Sequence, residues 1–463
     1  MAMHLGALAL LLSATAPHGP ALAVPSLTTA GLELLPDEEG PRPHAAALAH
    51  PVESAVAQET KPPTGRAQRE LLEALLALDP VTVEGQAAIR ERLAPYADLP
   101  APTGTKRRKL LAAIEKLWAK GPELPAKAGE YWYWDEGDDR KGRYFVAGQV
   151  RKPKGLFIGL HGGGVGSADA SGAHGAFRGP AADRDWVALF PQAIEATERG
   201  WVDSGTEEWI VRLVEEARRT YGVPADKIFI GGHSMGGFGA WTLGAHHADL
   251  FAAALPAAGA PSPIYNRDGS IYGIETGVIP NLRNLPMCVF QSTDDPRVPP
   301  ESNQAAVRDV GRARTRWGGY DAFDYWEVDD RGHGFPEGGT DALLERIEGY
   351  TRDPRPDKVV WQPTLPWKTR FYWLDWPTLR ADALVIAERF PEENRIEVVT
   401  DGFGVEGLAL LLDGARLDLT EEVVVTVDGE EVHRAVVPTS WATFVESALR
   451  CDPGRLYDAR IRL

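Results

Sequence analysis

Short strand-like runs, several of them continuously apolar, alternate with stretches of helical period between residues 143 and 328, and this alternation constrains the fold most. The runs are 143–150, 155–160, 186–190, 227–230, 251–255, 287–291 and 322–328, preceded by Tyr131-Trp132-Tyr133-Trp134. A strand such as Leu156-Phe157-Ile158 has no polar face to offer water, so both its faces must be covered. Between these runs lie amphipathic segments. The clearest is 206–221, which places Trp209, Ile210, Leu213, Val214 and Ala217 on one face and is stopped by Gly222 and Pro224. Strands buried on both faces and interleaved with helices predict an α/β fold: a mostly parallel sheet flanked by helices.

One short string stands where such a sheet meets a helix. Gly232-His233-Ser234-Met235-Gly236 follows the run 227–230 and precedes a helix-capable stretch, 237–244. As a bare string, G-x-S-x-G recurs by chance. Between a strand and a helix it describes a sharp turn that holds a serine hydroxyl clear of the sheet, with glycines giving the backbone room. The helix N-terminus just behind it offers N–H groups and a dipole to a developing negative charge. The alternative is a glycine-rich turn with a structural serine, and the strand-turn-helix setting argues against it.

Four separated motifs then agree in order and context, and over roughly residues 140–352 the chain resembles the α/β-hydrolase family, in particular serine esterases of the polyhydroxybutyrate depolymerase or feruloyl esterase kind. The string around Ser234 resembles the family's nucleophile elbow. His161-Gly162-Gly163-Gly164, directly after a strand, resembles its oxyanion loop. Asp295-Pro296-Arg297-Val298-Pro299 resembles the loop carrying the acid, and Gly332-His333-Gly334 the histidine loop. The resemblance implies a triad of Ser234 as nucleophile, His333 as general base and Asp295 as its orienting acid. It places oxyanion donors at the backbone of Met235 and in the glycine loop, at Gly163 and Gly164. It implies no cofactor and no metal. Asp294 adjoins Asp295; the latter is preferred because it stands three residues before Val298, as in the family pattern. Ser292 occupies a position where the family usually has glycine.

Other residues invite chemical readings that have structural alternatives. His161 is read as a hydrogen-bonded structural histidine. His246-His247-x-Asp249 resembles a metal cluster on paper but is read as a solvated helix end. Asp329 and Asp330 are read as solvated or turn-forming. The connection 256–286 has few helix signals, and Tyr265 and Tyr272 within it are candidate substrate-binding residues, as is Trp201 ahead of the helix 206–221; surface loop and core packing are the respective alternatives. Trp361, Trp367, Phe371, Tyr372, Trp373 and Trp376 form either a row for stacking on sugar rings or the core of the C-terminal part. Cys288 is read as a small buried apolar residue, and a bridge to Cys451 is not expected.

The chain has 463 residues, with 49 Lys and Arg against 66 Asp and Glu, a net charge of −17. So acidic a chain is unsuited to wrapping nucleic acid or binding an anionic membrane by charge. Two cysteines exclude a disulfide framework. Residues 5–12 (LGALALLL) and Ala21-Leu22-Ala23 read as a signal peptide cut before Val24, although its first residues hold no Lys or Arg. The apolar run is too short to span a bilayer. The expected organisation is a signal peptide (1–23), a disordered linker (24–65), a helical segment (66–125) that is a layer packed on the main domain or else a pro-segment or partner-binding helix pair, a catalytic domain (126–352) and a separate β-rich C-terminal domain (353–463). The helices are expected near 66–78 and 106–120. The C-terminal strands are expected at 384–390, 395–400, 408–412, 423–427 and 430–437, with Asp428-Gly429 as a hairpin turn. The functional expectation is a secreted or periplasmic serine esterase whose substrates include small esters and polymeric ones, polysaccharide-linked acyl groups or polyester. A prolyl oligopeptidase-like peptidase and a non-catalytic carbohydrate-binding protein are the competing readings.

Overall fold

The computed structural model describes residues 61–136, 139–381, 383–402 and 404–463. The expected signal peptide and nearly all of the expected linker lie outside the described residues. The described residues belong to one compact unit.

At its centre is an eight-stranded sheet. Its strands are β1 (Gly129–Glu136), β2 (Asp139–Gly148), β3 (Gly155–Leu160), β4 (Trp186–Pro191), β5 (Ile228–His233), β6 (Ala253–Ala257), β7 (Met287–Ser292) and β8 (Phe323–Val328). Their spatial order is β1-β2-β4-β3-β5-β6-β7-β8. Only β2 runs against the others. Every residue of β3, β4, β6 and β7 is buried, which is what continuously apolar runs require.

Helices α1 (Gly65–Leu76), α2 (Val83–Leu93) and α3 (Gly104–Trp118) precede the sheet, and α4 (Ala170–Asp183), α5 (Thr206–Tyr221), α6 (Met235–His246), α7 (Glu301–Trp317) and α8 (Gly339–Glu345) are interleaved with it. Helix α5 buries the predicted face and ends at Gly222 in the left-handed region, φ +70°, where glycine avoids a Cβ clash. Helix α6, behind the elbow, is buried on nearly all sides. Helices α2, α4, α7 and α8 are additions to the sequence reading. Helix α4 carries Pro180 and three glycines, and it is held by the Asp169 cap on the Ser171 N–H and by burial of Ala173, Phe177 and Ala181.

The C-terminal part is β-rich with two sheets of its own. One joins Lys358–Trp361, Val385–Phe390, Arg395–Thr400, Glu422–Val427 and Glu430–Val436; the other joins Arg370–Phe371, Leu374–Asp375, Ala409–Leu412 and Ala459–Arg462. Asp428 and Gly429 turn the expected hairpin with φ +49° and +87°. The buried side chains of these sheets are continuous with the core on one face of the central sheet. The aromatic segment makes this seam: Trp361, Phe371, Tyr372, Trp373 and Trp376 are buried. The Tyr372 hydroxyl donates to the Ala248 carbonyl just past α6 (2.9 Å), and the Trp361 and Phe371 rings stack at 5.7 Å. These five side chains form core, not a sugar platform.

A further helix, α9 (Trp441–Ala448), lies inside the β-rich part. Its Trp441, Phe444, Val445 and Ala448 share one cluster with Leu72, Leu75, Ile89, Leu93, Leu110 and Ile114 of the first three helices. The Trp441 N–H donates to the Leu99 carbonyl (2.6 Å).

Candidate active site

The site begins with a strained residue. Ser234 has φ +62° and ψ −124°, unusual for any residue but glycine, and such strain persists only where neighbours enforce it. Its N–H donates to the Ala257 carbonyl at the end of β6 (2.9 Å), and its carbonyl accepts from Gly237 (2.8 Å) and Phe238 (3.1 Å) in α6. The flanking glycines are steric necessities. A Cβ at Gly232 would lie 2.6 Å from the Leu160 carbonyl oxygen, and one at Gly236 would lie 2.2 Å from it.

Three loops then bring the predicted polar groups together. His333 Nε2 lies 2.9 Å from Ser234 Oγ. His333 Nδ1 lies 2.7 Å from Asp295 Oδ2. Asp295 is fully buried at its side chain, and its other oxygen accepts the N–H groups of Arg297 (2.8 Å) and Val298 (3.0 Å). A carboxylate can only accept, so Nδ1 carries the imidazole proton and Nε2 offers its lone pair to the serine hydroxyl. The residue two positions before Arg297 makes this contact, and the neighbouring Asp294 does not. Asp294 instead accepts from the Gly332 N–H (2.8 Å) and from the Ser292 hydroxyl, whose oxygen accepts the Arg331 N–H (3.0 Å). Ser292, the departure from the family's usual glycine, therefore helps fasten the loop that carries His333.

The glycine loop lies against the nucleophile. A Cβ on Gly162 would be 3.2 Å from Ser234 Cβ, and one on Gly163 would meet the Ser167 carbonyl oxygen at 2.1 Å. Gly163 and Gly164 pair with Ala168 and Ser167 in a small hairpin, held to the next loop by the Gly166 N–H on the Ala196 carbonyl (2.8 Å). Met235 is the first residue of α6, so its N–H has no intrahelical acceptor. His161 is buried. Its Nε2 accepts the Ala193 N–H (3.0 Å), which leaves Nδ1 to donate to the Gly162 carbonyl (2.8 Å). Burial lowers its pKa, so a neutral imidazole braces the loop in the structural role expected of it.

Some sequence readings need correction. Trp201 is fully buried and cannot face a substrate; its Nε1–H donates to the His161 carbonyl (3.1 Å), and its ring packs where a Cβ on Gly239 of α6 would fall. It supports the glycine loop from beneath. The His246-His247-x-Asp249 cluster is not solvated. All three residues are buried. The two imidazoles meet Glu207 at 3.0 and 3.2 Å, and Asp249 meets Lys368 (2.8 Å) and Arg455 (3.1 Å) from the C-terminal part. Burial opposes ionisation of Glu207, and the two histidines outweigh it, holding its pKa at about 2. Among the described residues no group of three His, Cys, Asp or Glu could hold a metal ion.

Tyr265 and Tyr272 are 61% and 72% exposed on a hairpin of Pro263–Tyr265 and Ile271–Ile274. Glu275, at its base, pairs with Arg199 (3.0 Å). The sequence reading missed His233. Its ring lies 4.8 Å from that of His333 and 4.6 Å from that of Phe335. Its place beside the nucleophile was the available signal, but nothing in the string says which way that side chain turns.

No family model matches the chain, and no curated protein matches it. Among solved structures it is similar to a thermostable esterase, at 20% identity and a TM-score of 0.37 over 49% of this chain, and it spans 63% of that protein's length. It is similar to an acetyl xylan esterase from Aspergillus awamori at 14% identity, with a TM-score of 0.34, covering 45% of this chain and 94% of the other. A ferulic acid esterase from Anaeromyces mucronatus is similar at 15% identity and a TM-score of 0.34, covering 50% and 91%. In its own right, the strand order with β2 alone reversed, and the serine turn at the tip of β5, give this chain the α/β-hydrolase fold.

Proposed function

We propose that the protein is a serine hydrolase that cleaves carboxylic esters through an acyl-enzyme. The observation that carries this reading is the unbroken series of contacts from Asp295 through His333 to Ser234. As Ser234 Oγ bonds the ester carbonyl carbon, its proton passes to His333 Nε2, and Asp295 stabilises the imidazolium. The negative charge moves to the former carbonyl oxygen, where the N–H groups of Met235 and of the Gly163-Gly164 loop receive it; one such donor is typically worth about 3 kcal/mol in the barrier. The bond to the leaving oxygen then breaks, and His333 returns the proton to the departing alcohol. Water repeats the sequence on the acyl-serine, giving up its proton to His333 and releasing the acid as Ser234 recovers its hydrogen.

An ester presented on an extended or polymeric chain fits the rim of the site. The exposed Val165 tops the glycine loop, and Ile264, Tyr265 and Tyr272 are exposed on the neighbouring hairpin. Export, which the sequence of residues 1–23 suggests, belongs to the same proposal. Purified Ser234→Ala should lose nearly all turnover of p-nitrophenyl acetate and all labelling by a fluorophosphonate probe while melting as the parent does. Retained turnover in that variant overturns the reading.

A further inference from the structure

A cavity of about 740 Å³ lies apart from the triad, bounded by α1, α2, α3, α5, β1 and the end of α9. Its volume falls in the range of small-molecule sites. Leu75, Leu76 and Leu117, with Trp118, Tyr133 and Trp134, supply apolar and aromatic wall. Five arginines and four carboxylates also reach it.

Each of these charged groups has a partner, but the partners differ in kind. Arg212 pairs with Asp79 (2.7 Å). Arg90 meets Asp375 (2.9 Å) and Glu446 (3.3 Å), and Arg370 meets the same two acids. Glu215 accepts from Arg218 (2.9 Å), and Glu216 accepts the Tyr133 hydroxyl (2.7 Å). Arg219 bonds the Pro122 carbonyl (2.8 Å) and covers the Trp118 ring. Arg450 differs. It donates to the Pro80 carbonyl at 3.3 Å, and no carboxylate of the described residues lies within ion-pair distance. Burial draws its pKa down; Glu215 opposes this, and Arg370 and Arg455 add to it. Arg450 is only partly buried, so part of its guanidinium stays open to an incoming group, and a carboxylate can engage its planar fork by two parallel hydrogen bonds.

We propose that this cavity is a second ligand site, separate from the triad, for an amphipathic monocarboxylate whose head group pairs with Arg450 and whose apolar body lies against α1, α3 and β1. Charge complementarity selects the head and the lining selects the body. A neutral molecule of the same shape leaves Arg450 uncompensated.

Titration calorimetry on the full chain tests this, with sodium decanoate as the probe and decanamide as its neutral counterpart. Ser234→Ala serves as the parent, so the serine hydroxyl plays no part. Decanoate should bind at one site, Arg450→Gln should weaken it about tenfold or more, and decanamide should bind both proteins alike. Leu76→Trp, which narrows the cavity, should remove decanoate binding. Absence of decanoate binding at millimolar concentration overturns the proposal. So does equal affinity in a folded Arg450→Gln. Should that variant fail to fold, undiminished decanoate affinity in Leu76→Trp overturns it, and loss of binding there supports it.

Discussion

The rings of His233 and His333 lie 4.8 Å apart, so the base of the triad faces a second imidazole. Burial first, and then the charge His333 can carry, push the His233 pKa down from 6.5 to about 4, against the smaller opposing pull of Asp295 and of backbone at Gly334. Between those values the unfolded chain binds a proton that the folded chain excludes. Stability from this group is therefore complete above pH 6.5 and declines as pH falls toward 4, by about 3 kcal/mol. The neutral variant His233→Gln removes this term. Denaturant midpoints at pH 7 and pH 4.5 should differ less in His233→Gln than in the parent; equal differences refute the assignment.

Asp294 and Asp295 are adjacent in sequence and have different tasks. Asp295→Asn should cost about three to four orders of magnitude in kcat, because an amide facing Nδ1 favours the wrong tautomer. Asp294→Asn leaves His333 its acid and disturbs only the fastening of its loop, so it should cost less than about tenfold. Steady-state assays on a soluble ester separate the two, and equal losses contradict the assignment of roles.

Tyr265 and Tyr272 should matter for large substrates. The double variant Tyr265→Ala/Tyr272→Ala removes exposed rings without opening a core, so its melting temperature should stay near the parent's. Turnover of p-nitrophenyl acetate should be unchanged within about twofold, and release from a polymeric ester should fall by about fivefold or more. Parallel rates on both substrates would show that the hairpin does not touch substrate.

Arg352 and Asp452 join the catalytic part to the C-terminal part by a contact of 2.6 Å, with side chains 3% and 8% exposed. Asp452→Ala leaves a buried guanidinium without its partner and should destabilise the protein by about 3–5 kcal/mol. Urea unfolding measures this. A loss near that of a surface pair, under about 1 kcal/mol, would mean the seam is wet.

What the sequence disclosed follows from where its information is local. The inner strands of the central sheet were legible because burial on both faces writes a continuous apolar run, and the elbow because its glycines meet immovable carbonyls such as that of Leu160. Asp295 and His333 were legible through their neighbours in the chain. Helix α4 was hidden because Gly172, Gly175, Gly179 and Pro180 disfavour helix locally and packing overrides them. Trp201 reads the same whether it lines a cleft or a core, and only its burial beneath the glycine loop decides. The cluster at His246 looked solvated because its partners Glu207, Lys368 and Arg455 come from distant segments.

The sharing of one apolar cluster by the first three helices and α9 has a bearing on biosynthesis. Leu72 and Ile114 emerge from the ribosome more than three hundred residues before Phe444, which closes over them. Until translation reaches that point these leucine-rich segments carry a sticky surface with nothing native to cover it. A holding chaperone during synthesis, or a delay in their compaction until the chain is released, is the natural remedy.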